Sequence, residues 1–416
     1  MGATADSTGG SGVPAPAPPP KILLAKPGRG RGGGSIVKIG RGDEEPYARS
    51  RLPPGSLSFV SDSWEVHPDR LLPFMSDNSE FTVIGIIGPP GVGKSTILNE
   101  LYGYDSSTTG MLPPFPIETE ETRTMARHCT VGIELRVTSE RLILLDTQPV
   151  FSPSVLAEMM RPDGSSAVTV LTGESLSAEM AHELMNIQLG VFLASICNVL
   201  LVVSEGLDDV KMWHLMLTVD LLKQGIPDPS MMPSAIGHPQ GPSPAQEKEE
   251  RENFQERSVE FMADLVFIHS KLRDQELCPN NITLLRQMLS QYFDTSSFRT
   301  EGSEPLRTKS EDETKMHNDS LEAETRKSEQ NGLVKNLFFL PCKVHEDSQK
   351  GQYESYSSML GKLRDQVLTM RGRPFGKPMS ERDWLRNSAR IWEKVKKSPV
   401  IADYSKLLLN SGMFRK

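Results

Sequence analysis

The sequence predicts an α/β fold, a mostly parallel sheet with helices on both faces, and three observations predict it. From Phe81 onward, short apolar runs alternate with helix-length patterns, the order that builds such a sheet. The first run, FTVIGIIG (81–88), is apolar throughout, as a strand buried on both faces must be. It leads directly into GPPGVGKST (88–96) and a helical pattern, a strand–loop–helix unit in which the loop is glycine-rich.

The remaining elements follow in chain order. KSTILNELYG (94–103) reads as a helix stopped by its glycine. TVGIELRV (130–137) and RLILLDT (141–147) flank a turn-like Thr138-Ser139-Glu140, so they read as a hairpin whose second strand ends on Asp146. Helix, strand and helix are predicted over 177–196, 198–204 and 210–225. A strand at 264–270, a helix at 281–293, a strand at 336–342 and a helix at 355–370 complete the alternation. The longest apolar stretch, Val191–Ser204, is too short to cross a bilayer and is interrupted by Asn198. A helix end running into a buried strand accounts for it.

The 416 residues have room for one large domain with tails. Residues 1–65 are Gly-, Pro-, Ser- and Arg-rich and too poor in apolar area to offset ordering entropy, so they read as a disordered region. Two islands there, KILLAKP (21–27) and SIVKIG (35–40), read equally as strand-adding docking motifs or as stray linker aliphatics. The domain proper is placed at 66–372, with polar insertions at about 226–257 and 298–333 whose composition argues for disorder. Residues 373–416 form a helical extension. Its Trp384, Ala389, Ile391, Trp392 and Val395 share a face that docks on the main domain or on a partner, and Ser380 with Asp383 can cap its start.

A net charge of −8 argues against nucleic-acid binding through an overall basic field, and no sequence-specific nucleic-acid contact is expected. Four scattered cysteines without CxxC spacing read as free thiols in a reducing compartment. No secretory leader or membrane segment is seen; a cytoplasmic location is expected, with the nucleus left open.

The chemistry is concentrated in the loop. Gly88, Gly93, Lys94 and Ser95 satisfy G-x-x-x-x-G-K-[ST], here in the strand-to-helix setting that gives the pattern physical meaning. Successive N–H groups of Gly91, Val92, Gly93, Lys94, Ser95 and Thr96 would cradle phosphate, and Lys94 would reach the outer phosphates. Ser95 and Asp146 are the tentative Mg²⁺ residues. Pro89 and Pro90 precede the donating amides, so they stiffen the loop without removing a donor. A P-loop NTPase fold of the G-domain kind follows, with ATP or GTP as the cofactor class.

Turnover is less well provided for. The sequence DTQP (146–149) stands where G domains carry DxxG, and Pro149 replaces the glycine whose amide senses the γ-phosphate. Gln148 precedes that position and reads as a structural or exposed amide. No arginine stands out as a catalytic finger in cis, and no residue is assigned a catalytic role. Thr130 reads equally as a switch-type threonine or as one opening a strand. In the base-selecting region, Ser270 and Lys271 are the candidates, standing at the first two positions of a degraded [NT]-K-x-D: Lys271 matches, Ser270 replaces Asn or Thr, and Arg273 holds the carboxylate position, so adenine and guanine both stay open.

Taken together, GPPGVGKSTILNEL, RLILLDTQPVFSPSVL, LVFIHSK and the tail RDWLRNSARIWEKVKKSPVIADYSKLL resemble the Smg-nine family of nonsense-mediated mRNA decay factors, over roughly Phe81–Leu409 apart from the insertions. The resemblance implies a G-like regulatory subunit that binds nucleotide and hydrolyses it poorly. It also implies a heterodimer with a second G-like subunit, which docks on and restrains a phosphatidylinositol-kinase-related protein kinase. An active switch GTPase completed by partner residues, or a scaffold with a vestigial loop, are the alternatives.

Overall fold

The computed structural model describes residues 57–105, 112–125, 127–160, 176–232, 261–298, 336–343, 354–370 and 372–411. The N-terminal islands and most of both polar insertions lie outside them.

Seven strands form one sheet among the described residues: β1 (Ser58–Val60), β2 (Thr82–Ile87), β3 (Ile133–Val137), β4 (Leu142–Thr147), β5 (Val199–Glu205), β6 (Asp264–Leu272) and β7 (Leu337–Pro341). Their spatial order is β1-β3-β4-β2-β5-β6-β7. The pairs β4–β2, β2–β5, β5–β6 and β6–β7 are parallel, whereas β3–β4 is the antiparallel hairpin read from the sequence. The central strand β2 therefore delivers the glycine-rich loop at the carboxyl edge of the sheet, where ligands of open α/β sheets bind.

The strand β2 alternates between two cores. Val83 and Ile87 face one apolar cluster, and Ile84 and Ile86 the other. The first cluster takes helices α5 (Ala178–Ile196), α6 (Val210–Leu222) and α7 (Pro279–Tyr292). The second takes α2 (Lys94–Tyr102) and α8 (Tyr356–Thr369). Helix α5 is buried on nearly all sides, which explains its almost uninterrupted apolar sequence and its passage into β5 two residues later. No described helix is long and apolar enough to cross a membrane.

Two helices close the chain, α9 (Glu381–Lys396) and α10 (Pro399–Ser411), and α9 docks on the sheet's first face. Ser380 Oγ accepts from Asp383 N at 3.2 Å, the cap read from the sequence. Trp384 and Trp392 are fully buried. Their indole N–H groups donate to Ile196 O (2.9 Å) and Trp64 O (2.7 Å), so the aromatic face is used within the chain. Glu381, also fully buried, accepts from Ser76 N (2.8 Å) and from Arg141 Nε (2.6 Å), tying the start of α9 to the β3–β4 turn.

Two sequence expectations need correction. The disordered region was bounded at residue 65, but Ser58–Val60 is a strand paired with β3, and Phe59, Val60 and Trp64 are buried. Phe59 lies 5.8 Å from Trp384 and Trp64 stacks on Trp392 at 5.6 Å, ring centroid to centroid. Three residues cannot hold a strand by local preference; β3, Phe192 and the distant Trp384 hold this one. The first insertion was begun at 226, but Ile226 is buried and Pro229–Met231 forms a 3₁₀ turn beneath α9, with Pro229 O accepting from Asn387 Nδ2 at 2.9 Å.

Candidate phosphate-binding site

The loop between β2 and α2 has the geometry its glycines require. Gly91 and Gly93 have φ of 72° and 94°, the left-handed region where a side chain is strained. Gly88 serves a different purpose: a Cβ there would sit 2.4 Å from Val203 O, so only glycine lets the loop leave β2 against β5. The first helical hydrogen bond of α2 runs from Ile97 N to Gly93 O, leaving the N–H groups of Lys94, Ser95 and Thr96 ahead of it as donors at a helix N-terminus. Neither Pro89 nor Pro90 is among these donors, as the sequence reading held.

Lys94 is almost completely buried, and its ammonium donates to Gly88 O and Pro89 O, both at 3.0 Å. An ammonium has three N–H donors, and the residue also lines the cavity described below. Burial pulls its pKa from 10.5 to about 8, against the upward pull of Asp146 and Glu118. Asp146, at the end of β4, is fully buried. Its Oδ2 accepts from Ser95 Oγ at 2.7 Å and Thr130 Oγ1 at 2.9 Å. Burial raises its pKa, opposed by Lys94 and by the hydrogen bonds from Ser95, Thr130 and Thr147. Two hydroxyls and a carboxylate thus converge as an all-oxygen set, the donor chemistry that suits Mg²⁺.

A cavity of about 180 Å³ opens over the loop. Gly91, Gly93, Lys94, Ser95 and Thr96 form its floor, and Thr130 and Pro149 part of its wall. The segment before β3 supplies the rest: Ile117, Glu118, Arg127, His128 and Cys129. These residues carry no motif, and the sequence reading missed them; in particular, an arginine does stand at the site. His128 is pinned beside it, its Nδ1 3.0 Å from Ser154 Oγ and its Nε2 3.7 Å from Glu158 on helix α4 (Pro153–Met159). Burial holds the His128 pKa below its ordinary value.

Gln148 turns away from this cavity. Its Oε1 accepts from Gly132 N (3.1 Å), its own N–H donates to Gly132 O (2.8 Å), and it is buried. Of the two earlier readings, the structural amide holds and the exposed one does not. Ser270 Oγ donates to Ser204 O at 3.0 Å. Lys271 adopts a positive φ of 58°, uncommon outside glycine, and its Nζ lies 3.8 Å from where a Cβ on Gly91 would stand. The base-region lysine is thereby laid against the phosphate loop, while Nζ also meets Glu205 at 3.2 Å. Arg273 is largely exposed and lies 3.7 Å from Glu276, apart from the cavity. Among the described residues, no cluster of three or more His, Cys, Asp or Glu could hold a transition metal.

No family model matches the chain. Curated relatives do. The Nonsense-mediated mRNA decay factor SMG9 of Xenopus laevis is 25% identical, over 91% of this chain and 73% of that protein. The SMG9 of Xenopus tropicalis is 26% identical, over 82% and 64%, and that of Salmo salar 26% identical, over 91% and 73%. The resemblance seen in the motifs therefore extends over most of the chain. Among solved structures, a septin GTPase domain from Chlamydomonas reinhardtii aligns with a TM-score of 0.25 and 9% identity, over 79% of this chain and 98% of that one. NFeoB from S. thermophilus, bound to GDP.AlF4- and K+, aligns with a TM-score of 0.17 and 14% identity, over 76% and 100%. The G-domain-like α/β fold rests on the strand order and the loop, not on those scores.

Proposed function

We propose that this relative of the SMG9 proteins is a nucleotide-holding regulatory subunit in nonsense-mediated mRNA decay. The observation that carries the reading is the pairing of a complete phosphate cradle with an incomplete hydrolytic one. Gly91, Gly93, Lys94, Ser95, Thr96 and Thr130 line one cavity, and the Asp146 carboxylate gathers the Ser95 and Thr130 hydroxyls behind it. Beside them Pro149 has no N–H to offer a γ-phosphate, and Gln148 is committed to Gly132 and cannot position water.

In this reading the loop amides and Lys94 hold the phosphates of ATP or GTP, and Ser95, Asp146 and Thr130 hold Mg²⁺. The ion, when bound, neutralises phosphate charge and fixes the position of the outer phosphates. The enclosed 180 Å³ is below the roughly 300 Å³ at which whole-ligand pockets begin, so the cavity takes the phosphates and the base lies outside, toward Lys271. Bound nucleotide then braces the segment before β3 and the segment after β4, presenting a settled surface to partners. The partners proposed are a second G-like subunit and the phosphatidylinositol-kinase-related kinase that the pair restrains.

The test is mass identification of nucleotide co-purifying with the full chain, with and without the G-like partner, combined with melting and phosphate-release assays. Ligand at a hundredfold excess over Kd adds about 2.7 kcal/mol, a Tm rise of several degrees, while phosphate release stays at background. Steady turnover would refute the regulatory reading. Absence of any nucleotide effect on Tm would refute the binding one.

A further inference from the structure

We propose that Arg127 is the residue that contacts the terminal phosphate of a bound nucleoside triphosphate and makes the site prefer triphosphate over diphosphate. The inference rests on the nucleotide-holding reading and assigns a residue that carries no sequence motif.

Position is the first argument. Arg127 lines the same cavity as Gly91, Lys94, Ser95 and Thr96. It stands three residues before Thr130, whose hydroxyl joins Ser95 on Asp146 at the proposed metal end of the site. Three residues span at most about 10 Å of chain, a distance that an arginine side chain can fold back across. The guanidinium is thus within reach of the metal end of the cradle, where a third phosphate would project.

Anchoring is the second. The backbone N–H of Arg127 donates to Thr122 O at 3.0 Å, at the end of helix α3 (Glu120–Thr124). The next residue, His128, is buried and held by Ser154 and Glu158 of α4. Arg127 is therefore fixed on both sides while its own side chain stays exposed.

Charge is the third. Besides Arg127, Lys94 and Glu118 line the cavity, with Asp146 behind Ser95 and Lys271 beside Gly91. A phosphate is held best by cations that face it, and among the described residues Arg127 is the arginine that lines the cavity. Other arginines are committed elsewhere: Arg136 to Leu135 O at 2.8 Å, Arg141 to Glu381 and Arg273 to Glu276. The guanidinium of Arg127 makes no hydrogen bond or ion pair with the described residues, and its planar fork matches phosphate geometry. With Pro149 unable to donate and Gln148 withdrawn, Arg127 binds the outer phosphate without completing a hydrolytic set.

The test measures affinity of the full chain, with Mg²⁺, for the β,γ-imido analogues of ATP and GTP and for ADP and GDP. Arg127→Ala should weaken triphosphate-analogue binding on the order of 10- to 100-fold and diphosphate binding less than about twofold. Arg127→Lys should recover only part of the loss. The nucleotide-free Tm of both variants should match the parent, because the side chain is exposed. Equal losses for di- and triphosphate, or no loss, overturn the assignment while leaving the nucleotide-holding reading intact. A parent chain that binds none of the four overturns both.

Discussion

Lys94 couples ligand binding to pH, and the size of the coupling follows from its burial. Its pKa of about 8 means that the ammonium is roughly 90% charged at pH 7 and roughly 10% charged at pH 9. A phosphate group against Nζ favours the charged form, so binding takes up a proton wherever free Lys94 is neutral. The affinity should therefore fall about tenfold between pH 7 and pH 9, equivalent to about 1.4 kcal/mol. Near pH 8 about half a proton should be taken up per nucleotide bound. Terminal phosphates lose their second proton near pH 6, so they contribute little to this window. Calorimetry in two buffers of different ionisation enthalpy reads both quantities. Lys94→Arg keeps a charge that does not titrate in this range, so its affinity, even if weaker overall, should be flat from pH 7 to 9. The reasoning fails if the parent is flat, or if the arginine variant keeps the slope.

The same burial makes Lys94 costly when nothing is bound: a depression from 10.5 to about 8 corresponds to roughly 3 kcal/mol against the charged form below pH 8. Nucleotide-free Lys94→Met should thus be more stable than the parent at pH 7 in urea melts, while losing nucleotide-induced stabilisation. Gly88→Ala places a Cβ 2.4 Å from Val203 O and should destabilise the fold by about 1–3 kcal/mol, read by the same melts. Glu381→Ala removes the buried carboxylate that accepts from both Arg141 and the N–H of Ser76, and a loss of about 3 kcal/mol in thermal or urea unfolding is expected. His128, His182 and His269 all have pKa values lowered by burial, so the unfolded chain binds more protons below about pH 6.5. Stability should fall with acidification from there at up to about 1.4 kcal/mol per pH unit per histidine, and His269→Gln should reduce the slope. The raised pKa of Asp146 acts in the opposite sense, so the slope difference is the informative readout.

What the sequence determined by itself was the α/β frame and the cradle. Continuous apolar runs such as 81–88 are satisfied by strands covered on both faces; Gly88 reports a close approach to β5, and Gly91 and Gly93 a left-handed backbone that strains most side chains. Local rules of this kind are written in contiguous residues, which is why the loop, the hairpin ending on Asp146 and the cap at Ser380 were all legible. The tertiary structure decided what depends on residues distant in the chain. Phe59 and Trp64 look like linker residues until α9 brings Trp384 and Trp392 over them. Thr130, left between two readings, acquires its place from Asp146 across the β3–β4 hairpin, and Gln148 loses a mechanistic role because Gly132 holds it. Arg127, in a polar segment with no periodicity and no motif, shares a cavity with Lys94, and the neighbouring His128 holds that segment against α4. Spacing can encode a cradle; the residues that close over it are set by packing between elements that the chain separates.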